Sequence, residues 1–372
     1  MSVKSKIIDL RSDTVTIPSE GMYSAIKNAS CEDSFLDRDR STANLEKKCA
    51  DLFGFEKAVF LVSGTMANQL AIKAHTNIGD EIITDYSYHV NYYESVAVSK
   101  IAAVHMNIIH TSDGLLTADK LEYFIECKNV SKYSPILKLI CLENSINYHS
   151  GKIFPINKLK EVAEFARKNA LSVHLDGARI INSAIEEKLP LFAYAQVADS
   201  MMFSFIKGLG APFGAVLMGG KDFIDKVRKY NKWHGGGMHQ SGLMAECALY
   251  ALENNIKDIS SDNNKAKLLY QHLLNTMICG VHIPKVETNI IMLDLNKSGI
   301  TARELINFLE ERNIKLYMWS KNIVRAVTHR DINEDEIKYA AEIITEAIFS
   351  LKKNDNISES IKIGVEKKRD AL

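Results

Sequence analysis

Between residues 56 and 218 the chain alternates short apolar runs with stretches of helical periodicity, and this rhythm limits its fold more than any other feature. The runs fall at 58–62 (AVFLV), 81–85 (EIITD), 102–108 (AAVHMNI), 137–144 (LKLICLEN), 171–176 (LSVHLD), 200–205 (SMMFSF) and 214–219 (GAVLMG). Several are almost continuously apolar, which suits strands buried on both faces. Helical patterns lie between them: residues 65–75 follow the first run, and 157–168 set Leu159, Val162, Phe165 and Ala166 on one side. Strands bounded by helices in this order predict an α/β fold with a mainly parallel sheet, whose ligands sit at the carboxyl ends of its strands.

Beyond residue 255 the rhythm changes. A strand at 285–295, a helix at 301–313, strands near 315–328 and a long helix at 334–352 predict a smaller α+β domain. Asn333 and Glu336 have capping-box spacing at the start of that helix. A length of 372 residues accommodates roughly two such lobes. The expected division is an N-terminal segment at 1–19 joining the small lobe, a large domain at 20–255, a small domain at 256–352 and a polar surface tail at 353–372.

Composition excludes several partners. Lys plus Arg and Asp plus Glu each number 46, so no overall basic field exists to hold nucleic acid. No apolar run approaches the roughly 18–20 residues of a membrane span, and charge arrives early in MSVKSKIIDLRSD, so a cytoplasmic protein is expected. The six cysteines show no CxxC spacing and read as buried reduced thiols, with no metal site.

Two strand ends carry the chemistry. In HLDGARI (174–180), Asp176 closes an apolar strand, and in FSFIKGLGAPFG (203–214), Lys207 follows one. Alone, Asp176 reads equally as a helix cap and Lys207 as a solvated loop residue. Together, about thirty residues apart on successive strands, they match pyridoxal phosphate chemistry: a lysine for the aldehyde and a carboxylate for the protonated ring nitrogen. Ser63, Gly64 and Thr65 lie between a strand and a helix, where the N–H groups of Thr65 and Met66 could meet a phosphate. The loop WHGGGMHQSG (233–242) suits close backbone approach to an anion or is simply a flexible loop.

At this point the chain resembles the low-specificity threonine aldolases of the β-eliminating lyase group, within fold-type I pyridoxal phosphate enzymes. The matching segments include IDLRSDTVTIPSEGM (8–22), ANLE (43–46), SGTMANQLA (63–71), GDEII (79–83), CLEN (141–144), HLDGARI (174–180), IKGLGAP (206–212), GGGMHQSG (235–242) and VRAVTH (324–329). The resemblance implies an aspartate aminotransferase-like fold with a seven-stranded sheet, and pyridoxal 5'-phosphate as cofactor. It gives Lys207 the Schiff base, Asp176 the pyridinium N–H, and His89 the ring face. Gly64 and Thr65 would hold the phosphate, with Lys232 and the GGG loop arriving from a neighbouring subunit, and Ser63, Arg179, Ser204 and His239 would also bind the cofactor. Ser12, Arg179 and Arg325 would grip the α-carboxylate of an amino-acid substrate, because a guanidinium fork matches a carboxylate. A homodimer or homotetramer follows, with the site shared between subunits, and the cations are expected to make a locally cationic crevice.

Three mismatches with the family pattern occur. Ile146 stands where the family has a histidine for the substrate β-hydroxyl, Asp37, Arg38 and Asp39 replace Gly-Glu-Asp, and His239 replaces an arginine. Isoleucine cannot accept a proton, which leaves His89, a phosphate-bound water or His149 as candidate bases. The expected reaction is cleavage of a β-hydroxy-α-amino acid of the threonine or allo-threonine type to glycine and an aldehyde. The alternatives are β-elimination, aldol transfer, aminotransfer or racemisation on the same cofactor, or a catalytically silent cofactor-binding protein.

Overall fold

The computed structural model describes residues 6–36, 39–128, 131–276 and 280–369, with 353–369 as helical backbone alone. Its strands in chain order are β1 (Ile8–Asp9), β2 (Lys57–Leu61), β3 (Glu81–Asp85), β4 (His105–Ile109), β5 (Leu137–Glu143), β6 (Ser172–Asp176), β7 (Ser200–Ser204), β8 (Ala215–Gly219), β9 (Ile290–Asp294), β10 (Ile314–Lys315), β11 (Tyr317–Ser320) and β12 (Ile323–Val327). The chain divides into two units, Thr16–Ser260 and Met1–Val15 with Ser261–Leu372.

The first unit is built on a seven-stranded sheet in the order β2-β8-β7-β6-β5-β3-β4. β4, β3, β5, β6 and β7 run parallel, while β8 is antiparallel to both β7 and β2. Every residue of β3, β7 and β8 is buried. Alternate side chains enter different cores: Val59, Leu61, Met202 and Leu217 pack with Leu70, Ile224 and Val227, whereas Phe60, Phe203, Val216 and Met218 pack with Phe53, Leu175 and Phe205. A strand with period-two side chains and apolar cover on both sides needs mostly apolar residues, with polar ones gathered mainly towards its ends, which is why these runs are legible.

The second unit pairs β1 with β10 in parallel, Ile8 opposite Ile314, and carries a separate antiparallel sheet, β11-β12-β9. Ile8 and Leu10 share a core with Leu269, Ile291, Leu305, Val324 and Ile344.

Several expected boundaries differ. The run at 102–108 becomes a strand only from His105, because Val98–Ala102 form a π-helical turn and Ala103 adopts a left-handed φ of 55°. The expected strand at 285–295 shortens to β9. The unit boundaries fall at 15/16 and 260/261 rather than 19/20 and 255/256, since Ile259 packs into the core of the first unit. The expected polar tail is helical backbone to Arg369, continuous with the helix that starts at Glu334. Cys49, Cys141 and Cys247 are buried, and burial raises their thiol pKa values, but Cys31 and Cys127 are exposed, contrary to expectation. Cys279 lies outside the described residues.

Candidate active site

Strand β6 delivers Asp176 at its carboxyl end, directly opposite Glu143 at the end of β5. Asp176 is only 3% exposed. Burial opposes its charge, yet His89, Lys207, a hydrogen bond from Asn68 Nδ2 (2.8 Å) and one from Ala178 N (3.0 Å) together lower its pKa. It is therefore a carboxylate at neutral pH. Gly177 permits the turn that follows, because a Cβ there would lie 2.7 Å from the Met202 carbonyl oxygen.

His89 is half-buried at the start of a single helical turn, His89–Tyr92. Its backbone N–H donates to Glu143 Oε2 (2.6 Å), and its Nδ1 lies 2.7 Å from Glu94 Oε1. Burial disfavours the imidazolium, but Glu94 and the charge of Asp176 outweigh burial and the repulsion of Lys207, so the His89 pKa is raised. Glu143 is pushed up to about 7 by burial and by Asp176, against hydrogen bonds from Asn147 N and His89 N. Lys207, half-buried after β7, is close enough for its charge to act on both Asp176 and His89. The structure thus brings Asp176, His89 and Lys207 together.

Ser63 caps the helix Gly64–His75, its Oγ accepting from Met66 N (3.2 Å). Met66 N–H, expected to meet an anion, is thereby used; Gly64 and Thr65 supply the other N–H groups of the first turn. Ser204 ends β7 and is buried, as is Arg179 two residues past Gly177.

Other expected members make contacts of their own. Lys232 Nζ sits 3.9 Å over the Phe35 ring, which meets His239 edge-on at 5.1 Å, and His239 Nδ1 pairs with Asp33 at 2.7 Å. Among the described residues no hydrogen bond or ring contact ties Lys232 or His239 to Asp176 or His89. Ser12 and Arg325 belong to the second unit, where Thr14 Oγ1 lies 2.9 Å from Ser12 Oγ and Arg325 Nη2 donates to the Arg11 carbonyl (3.0 Å). Within the first unit Glu94, Glu143 and Asp176 lie about His89, with Lys207 acting on both His89 and Asp176.

His149 is not brought to this group. Burial lowers its pKa, and the charges acting on it are those of Asp85, Asp113 and Lys152. Ile146 is fully buried in the apolar core. Asp37 and Arg38 lie outside the described residues, whereas Asp39 is buried and caps the helix Arg40–Phe53 by accepting from Thr42 N (3.0 Å).

Sequence reasoning missed Asn68, Glu94, Glu143, His174 and Ser200. One signal was available: His174 and Asp176 are two apart on a strand and share a face. The fold and strand-end site define a fold-type I pyridoxal phosphate-enzyme architecture, shared with a structure of SPT with a PLP internal aldimine (TM-score 0.71, 16% identity, covering 92% of this chain and 88% of that one). A threonine aldolase structure from Leishmania major superposes with a TM-score of 0.78 at 18% identity, over 92% of this chain and 99% of that chain.

The chain belongs to the beta-eliminating lyase family, whose model matches residues 9–298. It is 34% identical to low-specificity L-threonine aldolase 1 of Arabidopsis thaliana over 347 residues, 92% of this chain and 97% of that one.

Proposed function

We propose that this chain is a pyridoxal phosphate-dependent lyase that cleaves a β-hydroxy-α-amino acid, of the threonine or allo-threonine type, to glycine and an aldehyde. The observation that carries this reading is Asp176, a buried carboxylate at a parallel strand end, with Lys207 and His89 acting on it. The residues present fit the cofactor. Asp176 would accept the ring N–H, the N–H groups of Gly64 and Thr65 in the first turn of the helix would receive the phosphate, and Lys207 would hold the aldehyde carbon.

When bound, the cofactor supplies an electron sink for the pair released at the substrate Cα. The remaining work belongs to the chain. Arg179 offers its planar fork to the substrate carboxylate. His89, its Nδ1 held by Glu94, uses Nε2 to take the β-hydroxyl proton as the Cα–Cβ bond breaks, releasing the aldehyde; a proton delivered to Cα completes glycine. The raised pKa of His89 places its neutral, proton-accepting form on the alkaline side of its ordinary range.

The site is read as shared in a homodimer or homotetramer, with Lys232 and His239 serving a neighbouring subunit. Among the described residues neither has a hydrogen bond or ring contact with Asp176 or His89, which supports that arrangement. β-Elimination is the second reading, favoured by Ile146, which removes an imidazole from the turn after β5. A panel of β-hydroxy and β-substituted amino acids assayed for glycine, aldehyde, ammonia and keto acid tests both: glycine with aldehyde supports cleavage, whereas ammonia with a keto acid overturns it.

A further inference from the structure

A chain of polar groups continues from Asp176 into the protein interior. Asn68 Nδ2 donates to Asp176 Oδ2 (2.8 Å) and to Glu94 Oε1 (3.1 Å). Asn68 Oδ1 lies 3.1 Å from His174 Nε2, His174 Nδ1 lies 2.9 Å from Ser200 Oγ, and Ser200 Oγ lies 2.8 Å from His75 Nε2. Asn68, His174 and Ser200 are each fully buried.

Two elements create this alignment. Asn68 and His75 are seven residues apart, two turns on one face of the helix Gly64–His75. His174 and Asp176 share a face of β6, and His174 is in register with Ser200 of β7.

The proton positions follow by elimination. Two carboxylates accept from the Asn68 amide, so its NH2 faces them and its Oδ1 faces His174. His174 must therefore donate from Nε2. Burial pushes the pKa of His174 down to about 4 and of His75 down to about 3, so both rings are neutral at physiological pH. Neutral His174 then accepts at Nδ1, Ser200 spends its one proton there, and His75 donates to the Ser200 oxygen; the Ser200 backbone carbonyl, which also acts on the His174 ring, favours the opposite tautomer, so the Asn68 amide decides the order. Every bond points toward the carboxylates, and such chains polarise one another.

We propose that Asn68, His174, Ser200 and His75 form a one-way hydrogen-bond relay that keeps Asp176 ionised and aimed at the cofactor ring nitrogen, with Asn68 as the positioning residue joining Asp176 to Glu94 and hence to His89. The proposal rests on the cofactor reading above. Without the Asn68 amide, two buried carboxylates would be left unbridged, and Asp176 would lose a hydrogen bond that favours its ionised form. His174 sets which way that amide points, Ser200 fixes the tautomer of His174, and the relay ends at His75, stacked on Phe223 at 4.4 Å.

The test uses the full chain and pyridoxal phosphate labelled at its ring nitrogen. Wild-type protein should gain visible absorbance and show a protonated ring nitrogen by NMR; if it gains none, the cofactor reading itself fails. Asn68→Ala and His174→Phe should weaken cofactor binding about tenfold, the scale of one net hydrogen bond, and move the nitrogen resonance toward unprotonated pyridine. His174→Gln retains a donor toward Asn68 and should restore the wild-type resonance. Wild-type affinity and an unmoved resonance in both Asn68→Ala and His174→Phe overturn the relay while leaving the cofactor reading intact. Melting of the cofactor-free proteins checks that each variant folds. Should Asn68→Ala not fold, Ser200→Ala decides: a resonance displaced in the same direction supports the relay, and an unmoved one with unchanged affinity overturns it.

Discussion

Lys207 and Asp176 were legible because each follows an apolar strand, where a lone charge stands out against its surroundings. Their partners were not. Asn68 sits mid-helix among apolar residues, and Glu94 and Glu143 are ordinary carboxylates until the fold turns them toward His89. On this reading, Lys207→Ala abolishes the visible absorbance gained on incubation with pyridoxal phosphate; retention of that absorbance would rule out Lys207 as the aldehyde-holding amine. Glu94 raises the pKa of His89, so Glu94→Gln lowers it. If neutral His89 is the base, the acidic limb of the kcat/KM profile then moves about one pH unit or more to lower pH. A limb that stays or moves to higher pH contradicts that role for His89.

At the scale of elements, the buried strands were read almost residue for residue, because apolar cover on both faces makes most of their side chains apolar, with polar ones mainly near the strand ends. The misplacements occur where backbone geometry overrides side-chain pattern, as at the π-helical turn before β4 and the left-handed Ala103. Caps behave as local rules predict. Asn333 and Glu336 exchange two 2.9 Å hydrogen bonds, as their spacing implied. Thr301 and Glu304 form a further capping box ahead of the helix Ala302–Glu310, and Thr301→Ala should cost about 1 kcal/mol in denaturant unfolding. Gly177→Ala should destabilise more, since the atom its Cβ would strike belongs to the backbone of β7 and cannot rotate away. Unfolding midpoints for Gly177→Ala equal to wild type would refute that account.

For the whole molecule, balanced charge still excludes a globally basic field, and within the first unit the acidic groups Glu94, Glu143 and Asp176 gather at His89. A shared site gives a direct test: mixing Lys207→Ala protein with Lys232→Ala protein under conditions that exchange subunits should restore part of the activity each lacks. No restoration, with hybrids shown to form, would mean that Lys232 serves its own chain or none. Among the described residues no helix is long and apolar enough to cross a membrane. The sequence by itself determined the α/β class, the strand positions and the Lys207–Asp176 pair, because these depend on residue type and spacing along the chain. Only the tertiary structure decided that His89 is held by Glu94, that His149 faces Asp85 and Asp113 instead, and that Asn68 bridges two carboxylates. Those arrangements depend on which helix face covers which strand, and hydrogen bonds between residues a hundred positions apart leave no periodic trace in the sequence.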